Sequence, residues 1–369
     1  MSKKHIIVCV TNDLIYDQRM QRICTTLAHT HQVTFVGRRK ADTPNEVKFD
    51  GYQAKHLSCL FSKGKLFYLE YQIRLFFFLI VRRWDAVYAV DLDSLWGAFS
   101  AAVLLGRKRI FDAHEYFDQL PEVIDRPLTK WVWKQTAKWW IPQSHLCLTV
   151  NEPLAAIFKE EYKTDFHSIR NMPLSKARYT VNQSSAQGKR VLLYQGVLNV
   201  GRGLEVMINL MPALSDFELW LVGEGDLSST LRNQANKSEA ASNIKFLGYK
   251  SPQELAAITP QAYLGINILE GRSGNYYYSL ANKFFDYVQA GVPQISMNFP
   301  AYQPFLEEYK IGLLIDDIQP ATILNAIQVL SEEPFYQKAV KACHEAANVW
   351  VWEEEAPKIQ QLVHNLWEA

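Results

Sequence analysis

The residues with the most evident chemistry lie in the stretch LEGRSGNYYYSLANKFFDYVQAGVPQIS, Leu269 to Ser296. The pattern predicts a helix over about 279–290, stopped by Ala290-Gly291-Val292-Pro293. Ser279, Asn282, Lys283 and Asp286 then fall at i, i+3, i+4 and i+7, one polar face, while Leu280, Phe284, Phe285 and Val288 read as core. A helix start offers free N–H groups and partial positive charge to an anion, and Lys283 adds a full cation. Asp286 would stand roughly 10 Å along the axis from Ser279 at about 1.5 Å per residue. A nucleoside diphosphate fits such a face, phosphates near its start and ribose hydroxyls at Asp286. A solvated polar face has the same pattern; the Gly-rich approach, Glu270 and the preceding apolar strand weigh against that reading.

Three other turns carry polar groups after apolar runs. YQGVLNVGRGLE nearly spells G-x-x-x-x-G-K-[ST], but Arg202 replaces the Lys and Gly203 the hydroxyl residue. ATP hydrolysis is not expected; a glycine-rich turn with a cationic head still suits a diphosphate. In VDLDSLWG, Asp91-Leu92-Asp93 has the D-x-D form of some metal sites. Asp93 as the cap of a small-residue helix from Ser94 to Leu105 is the preferred reading, and no metal is expected. FDAHEYFD puts Asp112, His114 and Glu115 at a strand end, where His114 could bond a sugar hydroxyl or be a satisfied histidine at a domain face.

These turns need a scaffold. Short apolar runs alternate with helical patterns: Ile6–Val10, QVTFVG, Ala86–Val90, KRIFDA and HLCLTV, then RVLLYQG, FELWLVG, NIKFLGY, AYLGINILE and PQISM. That alternation predicts parallel strands with crossover helices. The polar stretch from Ser168 to Arg190 reads as a linker between two doubly wound α/β halves, 1–172 and 173–349. A closing helix over about 350–369, with Trp350, Trp352, Leu362 and Trp367 as a buried stripe, is expected to complete the first half. The chain has 369 residues and a net charge of +1, which argues against a nucleic-acid binder. Its five scattered cysteines suggest neither disulfides nor zinc, so a cytoplasmic setting is expected.

Two Rossmann-like halves facing each other across a cleft, with a returning C-terminal helix, resemble the GT-B glycosyltransferases. TNDLIYDQRM, DAHEYFD, YQGVLNVGRGLE, LVGEGD, IKFLGY, SLANKFFDYVQAGVPQIS and WVWEEEAPKI resemble motifs of the retaining, nucleotide-sugar-dependent family 4 (group 1), along essentially the whole chain. The resemblance implies transfer of a sugar from a nucleoside diphosphate, UDP or GDP, to a hydroxyl of a glycan or lipid-linked saccharide, without cofactor or metal. It assigns the ribose to Asp286, the phosphates to Arg202, Lys283 and the backbone at Ser279, with Asn282 on the same donor face. It assigns the sugar to His114 and weakly to Glu270, and the base to the turn at Gly248 and Tyr249. Asn12, Asp13, Asp17 and Arg19 fall on the acceptor side. Two positions depart from the family: Val197 stands where a first phosphate-binding Arg is usual, and Asp286 replaces the commoner Glu, with Tyr278 eight positions before it.

A dinucleotide-dependent oxidoreductase would need glycines after the first strand, and VCVTNDLIYDQ has none. A non-catalytic nucleotide- or sugar-binding descendant of a glycosyltransferase is the alternative that Val197 and Asp286 leave open. No apolar run approaches the roughly 20 residues of a spanning helix. FSKGKLFYLEYQIRLFFFLIVRRW and KWVWKQTAKWW mix aromatic and basic residues, as helices at a membrane surface do, and also as core helices with basic edges do. Peripheral contact with the inner face of a membrane is therefore a further expectation.

Overall fold

The computed structural model describes residues 3–40, 43–44, 47–175 and 188–368; the middle of the expected linker, 176–187, lies outside the described residues. The chain divides into two units, Met1–Asn171 with Glu353–Ala369, and Met172–Trp352.

In the first unit the apolar runs form β1 (His5–Cys9), β2 (Gln32–Arg38), β4 (Ala86–Val90), β5 (Lys108–Ala113) and β6 (Leu146–Thr149), with edge strands β3 (Gln53–Leu57) and β7 (Phe166–Ser168). All pair in parallel, in the order β3-β2-β1-β4-β5-β6-β7. Helices cover both faces, so Ile6, Ile7 and Val8 are fully buried, as inner strands of a parallel sheet must be. The helices are α1 (Gln18–Ala28), α2 (Gly64–Ile80), α3 (Leu92–Leu105), the single turn α4 (Pro121–Ile124), α5 (Pro127–Trp140) and α6 (Glu152–Tyr162).

The second unit repeats the plan with β8 (Arg190–Gln195), β9 (Phe217–Val222), β10 (Ile244–Gly248), β11 (Leu264–Asn267), β12 (Gln294–Met297) and β13 (Gly312–Ile315), in the order β10-β9-β8-β11-β12-β13. Its helices are α7 (Leu204–Leu210), α8 (Ser228–Asn236), α9 (Pro252–Ile258), α10 (Gly274–Tyr277), α11 (Asn282–Gln289), α12 (Gln303–Glu308), α13 (Pro320–Leu330) and α14 (Glu333–Ala346). In each sheet the strand order reverses once, between β1 and β4 and between β8 and β11, and the crevice beyond the strand ends there is where such sheets bind ligands.

Two expectations are corrected. The small-residue helix starts at Leu92, so Asp93 lies within its first turn and is not its cap; its carboxylate accepts a hydrogen bond from Thr11 Oγ1 instead. The closing helix α15 (Trp352–His364) buries Glu355, Ile359 and Val363, with Leu366 just beyond it, while Leu362 and Trp367 are only half-buried. Trp350 belongs to the core of the second unit, where its ring meets Phe305 edge-on at 4.8 Å. Glu355 anchors α15 in the first unit by accepting from the Arg170 backbone N–H and from its Nε, both at 3.0 Å.

Candidate functional site

In the second unit the chain leaves β8 at Gln195-Gly196 and turns through Val197–Gly203 into α7. Gly203 begins α7 at a φ of +66°, and a Cβ there would stand 2.7 Å from Ile268 Cδ1. The hydroxyl residue of a P-loop is therefore excluded at this position on sterics as well as backbone conformation. On β11, a Cβ at Gly265 would stand 2.4 Å from the ring of Tyr287. That missing Cβ lets α11 lie close against the sheet, fixed by the Tyr287 hydroxyl donating to Leu193 O at 2.9 Å.

The helix expected over 279–290 is two pieces. Ser273 caps the short α10, the Ser279 hydroxyl donates to Tyr276 O at 2.8 Å, and the Ala281 N–H donates to the Tyr302 hydroxyl at 3.1 Å. These bonds hold residues 279–281 in a turn and extended backbone, and α11 starts only at Asn282. Ser279 therefore does not share a helix face with Asn282, Lys283 and Asp286. Those three also diverge: Asn282 is exposed, Lys283 buried and Asp286 half-buried. Phe284, Phe285 and Val288 are buried as expected.

Lys283 Nζ lies 3.7 Å above the centre of the Tyr194 ring and close beside Gly196, buried with no hydrogen-bond partner. Burial, and then the charge of Arg202, hold its pKa well below that of an ordinary lysine. Arg202 lies over the Tyr276 ring at 4.7 Å, and its Nε is likewise buried and unpartnered. Asp286 accepts from Gln195 Nε2 at 2.9 Å, and Gln195 Oε1 in turn accepts from Thr259 Oγ1 at 2.9 Å. The end of β8 thus brings Arg202, Lys283 and Asp286 together. Gln195 and the rings of Tyr194 and Tyr276 complete the cluster. Sequence pattern gave no hint of Gln195, because an amide at the end of a buried strand has no signature.

Glu270 reaches the same turn by its backbone, its N–H donating to Gly201 O at 2.8 Å, while its carboxylate pairs with Arg272 Nε at 2.9 Å. Gly248 ends β10, its carbonyl accepting from the Gly223 N–H at 2.8 Å, and Tyr249 is exposed. Val197, where the resembled family has an Arg, is 52% exposed.

In the first unit His114 rests on a buried ion pair. Arg19 NH2 donates to both oxygens of Asp112 at 3.1 Å, Arg19 Nε faces His114 Nε2 at 3.1 Å, and the Tyr88 hydroxyl donates to Asp112 at 2.7 Å. Burial alone would raise the Asp112 pKa, but Arg19 holds it well below the carboxylate range. Burial opposes charge on His114, yet Asp112, 3.2 Å from Nε2, outweighs it and raises the histidine's pKa. Asp91 stands at φ 55°, ψ 171°, a conformation ordinarily left to glycine, and accepts the His114 N–H at 2.8 Å. Burial pushes Asp91 up to about 8 and Asp93 up to about 7.

Among the expected acceptor-side residues only Asn12 is exposed. Asp13 is fully buried, accepting from the Ile15 N–H and Thr43 Oγ1, and Asp17 caps α1 through the Met20 N–H. Arg19 is 4% exposed and acts on His114 and Asp112 rather than at a surface. Among the described residues no group of three or more His, Cys, Asp or Glu is placed to hold a metal ion.

Residues 189–333 match the family described as Glycosyl transferases group 1. No curated protein matches the sequence. Among solved structures, sucrose-phosphate synthase from Thermosynechococcus elongatus superposes with a TM-score of 0.79 at 15% identity, covering 99% of this chain and 100% of the other. HepE from Anabaena, in complex with UDP and glucose, gives 0.73 at 12% identity, with 97% and 99% covered. Trehalose-6-phosphate from E. coli, as that structure is described, bound with UDP-2-fluoro glucose, gives 0.71 at 12% identity, again with 97% and 99% covered. At such identities the likeness is one of fold, while the family match falls on the unit that holds Arg202, Lys283 and Asp286. The chain has the GT-B fold, and residues 189–333, within its second unit, match the group 1 glycosyltransferase family.

Proposed function

We propose that the protein transfers a sugar from a nucleoside-diphosphate sugar, with UDP or GDP as the carrier, to a hydroxyl of a growing glycan or lipid-linked saccharide. The anomeric configuration is kept, and neither metal nor cofactor takes part. The observation that carries this reading is the pair of buried, partnerless cationic donors, Arg202 Nε and Lys283 Nζ. Buried donors without partners cost free energy, and a diphosphate returns both hydrogen bonds and charge compensation. UDP in two of the structurally similar proteins supports the choice of ligand class.

As the bond between the anomeric carbon and the diphosphate oxygen breaks, negative charge gathers on that oxygen, where Arg202 and Lys283 donate. The acceptor oxygen bonds the same face of the sugar, and its proton passes to the leaving phosphate. Asp286, oriented by Gln195, takes the ribose hydroxyls. His114, oriented by Asp112, Arg19 and Asp91, bonds a hydroxyl of the donor sugar. Gly248 and Tyr249 meet the base, and Glu270 takes a further sugar hydroxyl after leaving Arg272. The protein works on the cytoplasmic side of a membrane and does not bind nucleic acid.

The exposed Val197 favours the second reading, a protein that binds the donor without turnover. A thermal-shift panel with UDP, GDP, dTDP, ADP and NAD tests the first step, because a ligand at about 100 times its Kd adds roughly 2.7 kcal/mol. A shift with one nucleoside diphosphate, abolished by Arg202→Ala, is expected. A shift with NAD alone would refute the proposal. Donor binding without sugar release, across a panel of glycan and lipid-linked acceptors, would establish the second reading instead.

A further inference from the structure

A helix at a protein surface ordinarily turns its polar side outward. Helix α2 does so only in part: beside the exposed Lys65 and Arg74, Leu66, Leu69, Ile73 and Phe77 form one outward stripe at helical spacing, each about half exposed or more. Helix α5 carries a second stripe, Leu128, Trp131, Val132 and Trp139, with Trp131 60% and Trp139 64% exposed. The two helices belong to one surface. Helix α3 packs against both, Trp96 Nε1 donates from α3 to Thr136 Oγ1 of α5 at 3.0 Å, and Tyr68 of α2 meets the Trp133 ring of α5 edge-on at 5.8 Å. Cations accompany these stripes in the sequence: Lys63, Lys65, Arg74, Arg82 and Arg83 with the single acid Glu70 over 63–83, and Lys130, Lys134 and Lys138 with none over 127–140; of these, Arg74 pairs with Glu70 and Lys134 with Glu161. In a chain of net charge +1, this face gathers the positive excess.

We propose that α2 and α5 form a docking face for a bilayer with anionic headgroups, lying in its interface without crossing it. No helix among the described residues is long and apolar enough to span a membrane. The stripes enter the boundary between headgroups and acyl chains, tryptophans stay at headgroup level, and lysines and arginines meet lipid phosphates. A second copy of the chain fits this face poorly, because a two-fold contact would set the same cations against each other. The proposal deepens the reading of a lipid-linked acceptor, yet rests on residues of the first unit alone.

Flotation of the full chain with vesicles tests it. Vesicles of phosphatidylcholine with phosphatidylglycerol are expected to carry the protein up, vesicles of phosphatidylcholine alone are not, and high salt releases it. The double variant Trp131→Ser/Trp139→Ser is expected to bind about tenfold more weakly or worse, and each of Lys130→Gln and Lys138→Gln about fivefold more weakly. Circular dichroism melts and the UDP thermal shift, followed on the same variants, separate loss of docking from loss of fold or of the donor site. Equal binding to both vesicle types, or no binding by a folded wild-type protein, overturns the proposal. A concentration-dependent dimer that the tryptophan substitutions dissolve would overturn it in favour of self-association.

Discussion

Lys283 sets a sharp condition on donor binding. Its ammonium is buried beside Arg202 and faces a ring rather than a carboxylate, so its pKa lies well below the ordinary value. A bound diphosphate supplies the missing counter-charge and raises it again. Between the free and bound values, binding must therefore take up a proton. Affinity then falls as pH rises through that window, by up to tenfold per pH unit for one proton, about 1.4 kcal/mol. Stability of the free protein moves the other way. The unfolded chain binds the proton more tightly, so stability rises with pH from the depressed value toward the unfolded one, near 10.4. Titration calorimetry with UDP in buffers of different ionisation enthalpy counts the proton directly. Lys283→Met provides the control, since any proton taken up by the nucleotide itself remains in that variant. The substitution also removes a buried donor without a partner, worth about 1–3 kcal/mol. Lys283→Met should thus melt higher than wild type without ligand and gain little from UDP. A pH-independent Kd with no buffer dependence of the enthalpy, in a protein that does bind UDP, would refute this account of the lysine.

Three further outcomes follow from the geometry. Asp112→Asn leaves Arg19 buried without its carboxylate and should destabilise the protein by about 3–5 kcal/mol in urea melts. The same loss lowers the His114 pKa, visible in its ring proton shifts by NMR; the raised value in wild type adds stability that is fully present below about 6.5 and fades as pH climbs through the folded pKa. Gly265→Ala drives a methyl into the Tyr287 ring, which a Cβ would approach to 2.4 Å, and should cost about 1–3 kcal/mol by thermal melting while weakening UDP binding through the shift of α11. Asp286→Ala should weaken UDP about tenfold or more but leave inorganic pyrophosphate unaffected, in competition calorimetry, because a lost charged hydrogen bond to ribose is worth about 1.5–3 kcal/mol.

Strand and helix alternation was legible because inner strands of a parallel sheet are apolar on both faces, as β1, β4 and β8 are. Edge strands were not: β3 is nowhere fully buried and β7 is three residues long, so neither leaves an apolar run to read. The reading of 279–290 as one helix failed because spacing counts residues and is blind to tertiary hydrogen bonds. The Tyr302 hydroxyl that takes the Ala281 N–H lies 21 residues further on. Arg19 was visible as a polar residue near the N-terminus, but its role under His114 depends on Asp112, 93 residues away. Arg202 was legible as a cation at a turn after a strand and Lys283 as a cation near a helix start; that Arg202 Nε and Lys283 Nζ lack a hydrogen-bond partner could only come from the fold.

The absence of that partner is itself informative about how the site is built. A carboxylate beside Lys283 or Arg202 would satisfy the cation from within the protein, and would then compete with a diphosphate for the same donors. Tyrosine rings avoid the conflict. A cation over an aromatic face gains about 0.5–2 kcal/mol, a fraction of what an ion pair offers, and keeps its charge available. Tyr194 and Tyr276 occupy those positions, at 3.7 and 4.7 Å from the two cations. The acids nearby are engaged elsewhere: Asp286 accepts from Gln195 and Glu270 pairs with Arg272. One strand end therefore holds cations and carboxylates within a few residues of each other without letting them neutralise one another. Exchanging Gln195 for a residue that cannot donate removes one of the bonds that orient Asp286, and the expected signature is weaker UDP binding by titration calorimetry.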